Sequence, residues 1–427
     1  MNWHACCALL GSLLVSGGAL AVNPEPAAVD LGRLSLAAAQ ELLQQHGREL
    51  RVARRAIDAA QAGVLIAGAR PNPNLTVQTS NINPQAGIGP GAPRDKAVDT
   101  QLRVDYLVER GNKRDLRLAN AAELEKATRE DLSDALRVQG AAVANAYYDL
   151  LLGQEKALLA TETASLFGAT LAASERRLQA GDASSTDVDR IRVDTLRAQG
   201  DERSAAVDRR HAQSALAALL GIEADAARIV ASDAWPAADY PRATSSLDER
   251  AALRPDVRAA RARVDAALHA RELARSLRTR DVSVGVTYDH WPQNGNNFQG
   301  TGNSYGVSVS VPLFFGNHYD GEIARAESDW AAALDALDKV TAVASAELAH
   351  TDADLASARE RLARYDRDLV VAAQRVAEAQ EFAYRKGAIS VLDLLDARRT
   401  LRSVQQDAAT ARADYAKALV AWEYARP

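Results

Sequence analysis

Apolar residues recur along most of this chain at helical spacing, and at two places that pattern gives way to strict alternation. Val282, Val284, Val286 and Tyr288 alternate with Ser283, Gly285, Thr287 and Asp289, and Tyr305, Val307, Val309 and Val311 alternate with Gly306, Ser308, Ser310 and Pro312. The earlier stretch is weaker: Leu75, Val77 and Thr79 are set to pair with Leu102, Val104 and Tyr106, with Gln101, Arg103 and Asp105 on the other face. A period of two predicts strands with one apolar and one polar face. Outside the hairpins, no proline occurs between Pro93 and Pro236 or between Pro312 and Pro427. An interior proline costs a helix about 3 kcal/mol, so these gaps permit very long helices.

The pattern therefore predicts one unit twice over. A first helix (about 35–69, then 246–278) leads into two strands (about 74–80 and 100–108, then 281–289 and 304–313). A very long helix follows (about 113–178, then 319–385), and after a Gly-containing break a returning helix (about 186–220, then 391–425). At 1.5 Å per residue the long helices reach about 100 Å. Direct comparison of the halves agrees. Leu50, Ala53, Ile57 and Ala60 match Val257, Ala260, Val264 and Ala267 at an offset of 207; Val104 to Asn112 matches Val309 to Asn317 at 205; Gly181 and Asp187 match Gly387 and Asp393 at 206. Three anchors in register predict a duplication, with a first repeat at 22–221, a linker or equatorial segment at 222–246 carrying Trp235-Pro236 and Tyr240-Pro241, and a second repeat at 247–427.

One apolar face opposite a small, polar face is the lipid-out, lumen-in pattern of a membrane barrel. Strands of this length suit a tilted bilayer crossing. Tyr288, Trp291, Tyr305, Phe314 and Phe315 stand near strand ends, as an interfacial aromatic belt requires. Four strands cannot close a barrel, and open edges are forbidden in lipid, so oligomerisation has to supply the missing strands. Three copies give twelve; strand count by itself allows two or four.

Composition narrows the picture. Aromatics are 5% of the chain and the net charge is −5, so there is no basic footprint for nucleic acid. The apolar run Ala8–Val15 and the small-x-small site Ala19-Leu20-Ala21 read as a signal peptide over 1–21, after a weakly charged start with only His4 and the terminal amine. Cys6, Cys7 and Met1, the only residues of their types, fall inside it. The exported chain would then hold no disulfide and no thiolate or thioether metal ligand. The cysteines precede the apolar run, a poor position for a lipidated N-terminus. His46, His211, His269, His290, His318 and His350 are scattered, without zinc-site spacing.

The chain resembles the TolC family of outer-membrane efflux proteins over nearly its whole length. The likeness is carried by the duplicated architecture, the strand exit Gly111-Asn112-Lys113-Arg114, the turn Ala180-Gly181-Asp182-Ala183-Ser184-Ser185-Thr186-Asp187-Val188, and the segment Tyr384 to Ala397. It implies a mostly α protein with a small transmembrane β part, assembled as a homotrimer with a twelve-stranded barrel in outer-membrane lipid and a long periplasmic helical tunnel. It also implies a periplasmic membrane-fusion adaptor and an inner-membrane RND pump as partners, and no cofactor. Arg70-Pro71-Asn72-Pro73-Asn74-Leu75 with Glu109-Arg110-Gly111-Asn112-Lys113-Arg114 looks most like the cobalt-zinc-cadmium resistance branch, whose cargo is divalent heavy metal; drug-exporting relatives share short motifs of this kind.

The resemblance assigns roles at the helix tips. Asp393 and Asp396 match carboxylates that narrow the aperture, and at i, i+3 they share a helix face. Tyr384 and Asp187 match positions that hold the tip closed. The basic residue expected two places after Gly387 is Ile389 here, leaving Arg190, Arg385 and Lys386 as substitute latch partners. Gly181 and Gly387 read as the hairpin turns where adaptors dock. Two other functions fit less. A periplasmic coiled-coil adaptor explains the helices but not two lipid-patterned hairpins around the Gly-rich loops at 79–99 and 289–304. An envelope enzyme finds no nucleophile elbow, zinc signature or phosphate loop, and cysteine catalysis is lost with the signal peptide.

Overall fold

The computed structural model describes residues 30–80, 82, 98–238, 246–291 and 302–426. The expected signal peptide, Tyr240-Pro241 and most of both hairpin loops lie outside the described residues. The first copy comprises α1 (Leu36–His46), α2 (Arg48–Gly68), β1 (Asn74–Ser80), β2 (Asp99–Val108), α3 (Lys113–Gln179) and α4 (Ser185–Leu220). The second comprises α5 (Leu247–Ala252), α6 (Pro255–Ser276), β3 (Val282–Trp291), β4 (Gly302–Ser310), α7 (Asp320–Arg364), α8 (Val370–Arg385) and α9 (Val391–Ala425). The fold is mostly helical, with a single antiparallel sheet among the described residues ordered β1-β2-β3-β4.

Three expectations need correction. Each first helix is two helices: α1 ends at Gly47, whose backbone turns to an extended ψ of 121°, and α6 restarts at Pro255, placed where its missing N–H goes unneeded. The second long helix is not uniform, because a π-turn over Tyr365–Leu369 separates α7 from α8. Absence of proline permits an unbroken helix but carries no information about one wider turn. Finally, β4 stops at Ser310 rather than near 313, since Pro312 has no N–H for the ladder.

α3 has 67 residues and so runs about 100 Å. Val143, Tyr147, Leu150, Ala157, Ala160, Ala164 and Phe167 are buried along it at steps of three, four or seven. That is coiled-coil spacing, and its alanines let neighbouring helices approach closely. α3 packs on α4 and on α9, so the second hairpin lies alongside the first.

The middle of the molecule is held by Tyr147. Its side chain is fully buried. The hydroxyl donates to Leu34 O at 3.0 Å and accepts from the N–H groups of Ser232 at 3.2 Å and Asp233 at 3.0 Å. One turn-pair further, Gln154 donates to Ala231 O and accepts from Ala231 N, both at 2.9 Å. These contacts pin two extended segments joined by a parallel bridge between Leu34 and Ala231. Trp235 stacks on Tyr148 with ring centroids 6.0 Å apart and donates to Glu155 Oε2 at 2.8 Å. Four α3 residues, at i, i+1, i+7 and i+8, thus strap the chain's start and the end of its first copy to one helix.

Burial pushes the Tyr147 phenol up to about 12. Replacing Tyr147 by Phe strands a buried carbonyl and two N–H groups and should cost about 2 kcal/mol, read as a lower thermal-unfolding midpoint. A phenol held protonated stabilises the fold below its unfolded pKa, and that contribution fades as pH rises through the folded value. The wild type should therefore lose more stability than Tyr147→Phe between pH 10 and 12.

Candidate functional site

The strand register builds two contrasting faces. Leu75, Val104, Val286 and Val307 form one row across the sheet; Val77, Leu102, Tyr288 and Tyr305 form the next. Tyr106 does not face β1: it continues the apolar face opposite Val284, which faces Val309. Except for half-buried Tyr288 these residues are exposed in the single chain, Tyr305 and Val307 both at 78%. On the other face Gln101 donates to Asp289 at 2.8 Å, and Arg103 Nε reaches both Asp105 oxygens at 2.9 and 2.7 Å. Any side chain at Gly285 would collide with the Asp105 carboxylate and the Ser308 hydroxyl, so the glycine makes room for this polar layer. Of the expected aromatics, Tyr288 and Tyr305 lie toward the far ends of the strands, while Phe314 and Phe315 follow β4 at the helix side. Trp291 shares the strand parity of Asp289, which puts it on the polar face.

The strand exits are built turns. Gly111 has φ +73°, and a Cβ there would sit 2.8 Å from Thr279 Cβ. Asn112 follows with φ 58°. Lys113 is nearly buried and donates to Thr279 O and Asp281 Oδ1, both at 2.8 Å, while Arg110 N donates to the same carboxylate oxygen at 2.9 Å. Glu109 and Arg117 form a bidentate pair at 2.5 and 2.9 Å, and the hydrogen bonds from Arg117 hold the Glu109 carboxyl below its usual range. This lashes β2's exit to the segment between α6 and β3.

At the tips both long helices end alike. Gly181 (φ +84°) donates to Leu178 O at 3.0 Å and Asp182 N donates to Arg177 O at 2.8 Å. Gly387 (φ +73°) donates to Tyr384 O and Ala388 N to Ala383 O, both at 2.9 Å. This paired pattern satisfies the last carbonyls and needs a left-handed residue. The returning helices then differ. Ser390 caps α9 in a closed box: its Oγ accepts from Asp393 N at 3.3 Å, and Asp393 Oδ2 accepts from Ser390 N at 3.1 Å and its Oγ at 2.7 Å. In α4, Ser184 Oγ accepts from Thr186 N at 3.2 Å, and no box forms with Asp187.

The tip residues are only partly brought together. Asp393 and Asp396 are both exposed on the first turns of α9, and among the described residues Asp396 has no side-chain partner. Asp187 and Arg190 make no hydrogen bond or ion pair among the described residues. Arg385 reaches Glu381 at 3.7 Å, and the Lys386 ammonium lies 5.7 Å from the Phe382 ring centre. Tyr384 instead meets Arg177 at 3.5 Å, a contact between the copies that sequence reading missed. Arg399 pairs with Asp194 and Arg402 reaches Glu162 at 3.4 Å, again between copies. Arg177 with Tyr384, and Asp194 with Arg399, are 207 and 205 positions apart, nearly the repeat offset. Equivalent positions end at one height along the paired hairpins, so the offset itself was the signal. Ser390-x-x-Asp393 was likewise a readable capping box. Among the described residues no cluster of His, Asp and Glu is arranged to hold a metal ion, and no helix is long and apolar enough to cross a membrane.

Known proteins share this arrangement. CmeC, an outer membrane channel of Campylobacter jejuni, superposes with a TM-score of 0.77 at 15% identity, covering 91% of this chain and 85% of that one. The outer membrane protein VceC of Vibrio cholerae gives 0.72 at 20%, covering 91% and 95%. In sequence, the chain is 26% identical over 383 residues to the cobalt-zinc-cadmium resistance protein CzcC of Cupriavidus metallidurans, spanning 87% of this chain and 84% of that protein. The family model for outer membrane efflux proteins matches residues 39–222 and 247–423, one segment in each copy. By that match over most of its length, the chain belongs to the outer membrane efflux protein family.

Proposed function

We propose that three copies of this chain form the outer-membrane exit duct of a tripartite efflux pump, and that its cargo is divalent heavy-metal cations. The observation that carries the duct is a four-stranded sheet with apolar rows along one face, a polar opposite face and two edge strands, mounted on helices about 100 Å long. The β4 edge of one copy pairs with the β1 edge of the next, and three sheets close twelve strands. The polar face, with Gln101, Arg103, Asp105 and Asp289, then lines a wet lumen. The helices form a periplasmic tunnel whose tips meet a membrane-fusion adaptor, with an inner-membrane pump supplying cargo. Gly181 and Gly387 mark those docking turns. The likeness to CzcC supports the metal cargo.

At the closed tip Asp393 and Asp396 of three copies give six carboxylates, a ring that attracts cations. Asp393 serves its own helix as well, which changes how it has to be tested: alanine would remove a cap along with a charge. Tyr384 with Arg177 holds the two hairpins of one chain together there.

Outer-membrane fractions should contain a heat-modifiable trimer, and gene deletion should sensitise cells to zinc, cobalt or cadmium more than to dyes and antibiotics. A purely soluble periplasmic product would sink the duct reading; the reverse sensitivity profile would move the cargo to organic compounds. In planar bilayers, Asp393→Asn with Asp396→Asn should weaken block by multivalent cations while leaving the cap in place. Tyr384→Phe or Arg177→Ala should raise single-channel conductance severalfold, and unchanged conductance would remove that pair from the latch.

A further inference from the structure

Guanidinium groups gather where the sheet meets the helices. Arg70 precedes β1 by four residues, Arg110 follows β2 by two, and Arg280 precedes β3 by two. All three are exposed, and among the described residues none has a carboxylate partner. The Arg280 guanidinium lies 5.3 Å from the Phe314 ring centre. Neighbouring cations are committed: Lys113 to Asp281 at 2.8 Å, Arg117 to Glu109, and Arg278 to Asp320 at 2.6 Å. The unpaired three are therefore a distinct set rather than an average of a charged surface.

Their setting is amphiphilic. A groove beside Arg70 is lined by Tyr106 and Val108, from the lower end of the apolar face, and by Arg110 and Arg114 below. Arg114 Nε donates to Gly68 O at 2.7 Å, which fixes that wall of the groove. The wall toward the sheet is apolar; the wall toward the helices carries Glu109 and Asp115 as well, but these face Arg117 and Arg114, which leaves Arg70 and Arg110 as its uncommitted charges. At the opposite strand ends the described residues are Ser80, Asp99, Trp291 and Gly302, with no arginine or lysine among them. Among the described residues, unpaired arginines thus flank the sheet on its helix side alone.

We propose that Arg70, Arg110 and Arg280 form a belt that binds the phosphate groups of anionic phospholipids in the periplasmic leaflet of the outer membrane. The belt rests on the barrel reading above, which sets its depth. A guanidinium fork matches two phosphate oxygens at once, and such pairing strengthens at the margin of a low-dielectric layer. The adjoining apolar row takes the first methylenes of the acyl chain. Three copies present nine such groups around the barrel, which would fix its height and tilt in the bilayer.

The test uses the purified full-length trimer. Native mass spectrometry should show phosphatidylglycerol retained over phosphatidylethanolamine. Arg110→Gln should lower that preference about fivefold, the effect expected of one cation at an anionic surface. The triple variant R70Q/R110Q/R280Q should abolish it, as well as the rise in trimer dissociation temperature that phosphatidylglycerol gives the wild type. The triple Arg→Lys variant should keep most of both, and Arg55→Gln, on an exposed helix face, should change neither. A stable wild-type trimer without the preference, or a triple Gln variant that keeps it, would overturn the belt alone. Absence of any heat-resistant trimer in the wild type would overturn the barrel reading, and the belt with it.

Discussion

A sheet edge cannot be left open in hydrocarbon. Each unmet backbone N–H or C=O there costs several kcal/mol, and this chain carries two such edges, on β1 and β4. Everything at the sheet end follows from that constraint. Two apolar rows run unbroken from β1 to β4, so that in the proposed barrel each strand shows lipid the same face. The polar face is crowded instead, with Gly285 admitting Asp105 and Arg103 Nε donating to both its oxygens. A single chain is therefore an incomplete object. In the proposed barrel its exposed valines and tyrosines are the surface that lipid covers.

The helical end meets a different constraint. Helices of about 100 Å built from alanine have little apolar bulk per turn, so long coiled contact has to replace a thick core. The bulky residues concentrate at one level, around Tyr147, where α1, α3, α4 and the end of the first copy converge. There a single phenol satisfies three backbone groups that would otherwise be buried unpaired. At that level Arg412 pairs with Glu155 at 3.1 Å, and nearer the tips the copies are held by exposed pairs, Arg399 with Asp194 and Arg402 with Glu162 at 3.4 Å. Exposed pairs of this kind contribute little stability each. Arg412 also grips Asp366 within the π-turn at 2.8 Å, which ties the one irregularity of the second hairpin to the first.

The duplication makes the copies alike, yet they differ at the tip. They share the same tip turn, down to the paired hydrogen bonds that end α3 and α8. They part in the next four residues, where Ser390 and Asp393 close a box and Ser184 and Asp187 do not. One carboxylate is held to its own helix end while its counterpart, Asp187, closes no such box. Small local choices of this kind break the symmetry without altering the hairpin.

Much of this was legible in the residues alone. Period-two and helical spacing, proline-free runs and a repeat offset near 206 are local properties, so they locate the strands, the long helices and the doubling. The apolar face of β3 and β4 could be read from alternation, because side-chain direction in a strand depends only on parity. What depends on distant partners could not. The opposition of Tyr106 to Val284, the break at Gly47 and the strap of Trp235 on Tyr148 are decided by which segments meet. So is the Arg177–Tyr384 contact, which joins residues 207 positions apart. Sequence determined the elements and their duplication, because those follow from neighbours along the chain. Only the tertiary structure decided which charges pair and which stay free, because pairing is set by proximity between helices that no local pattern records.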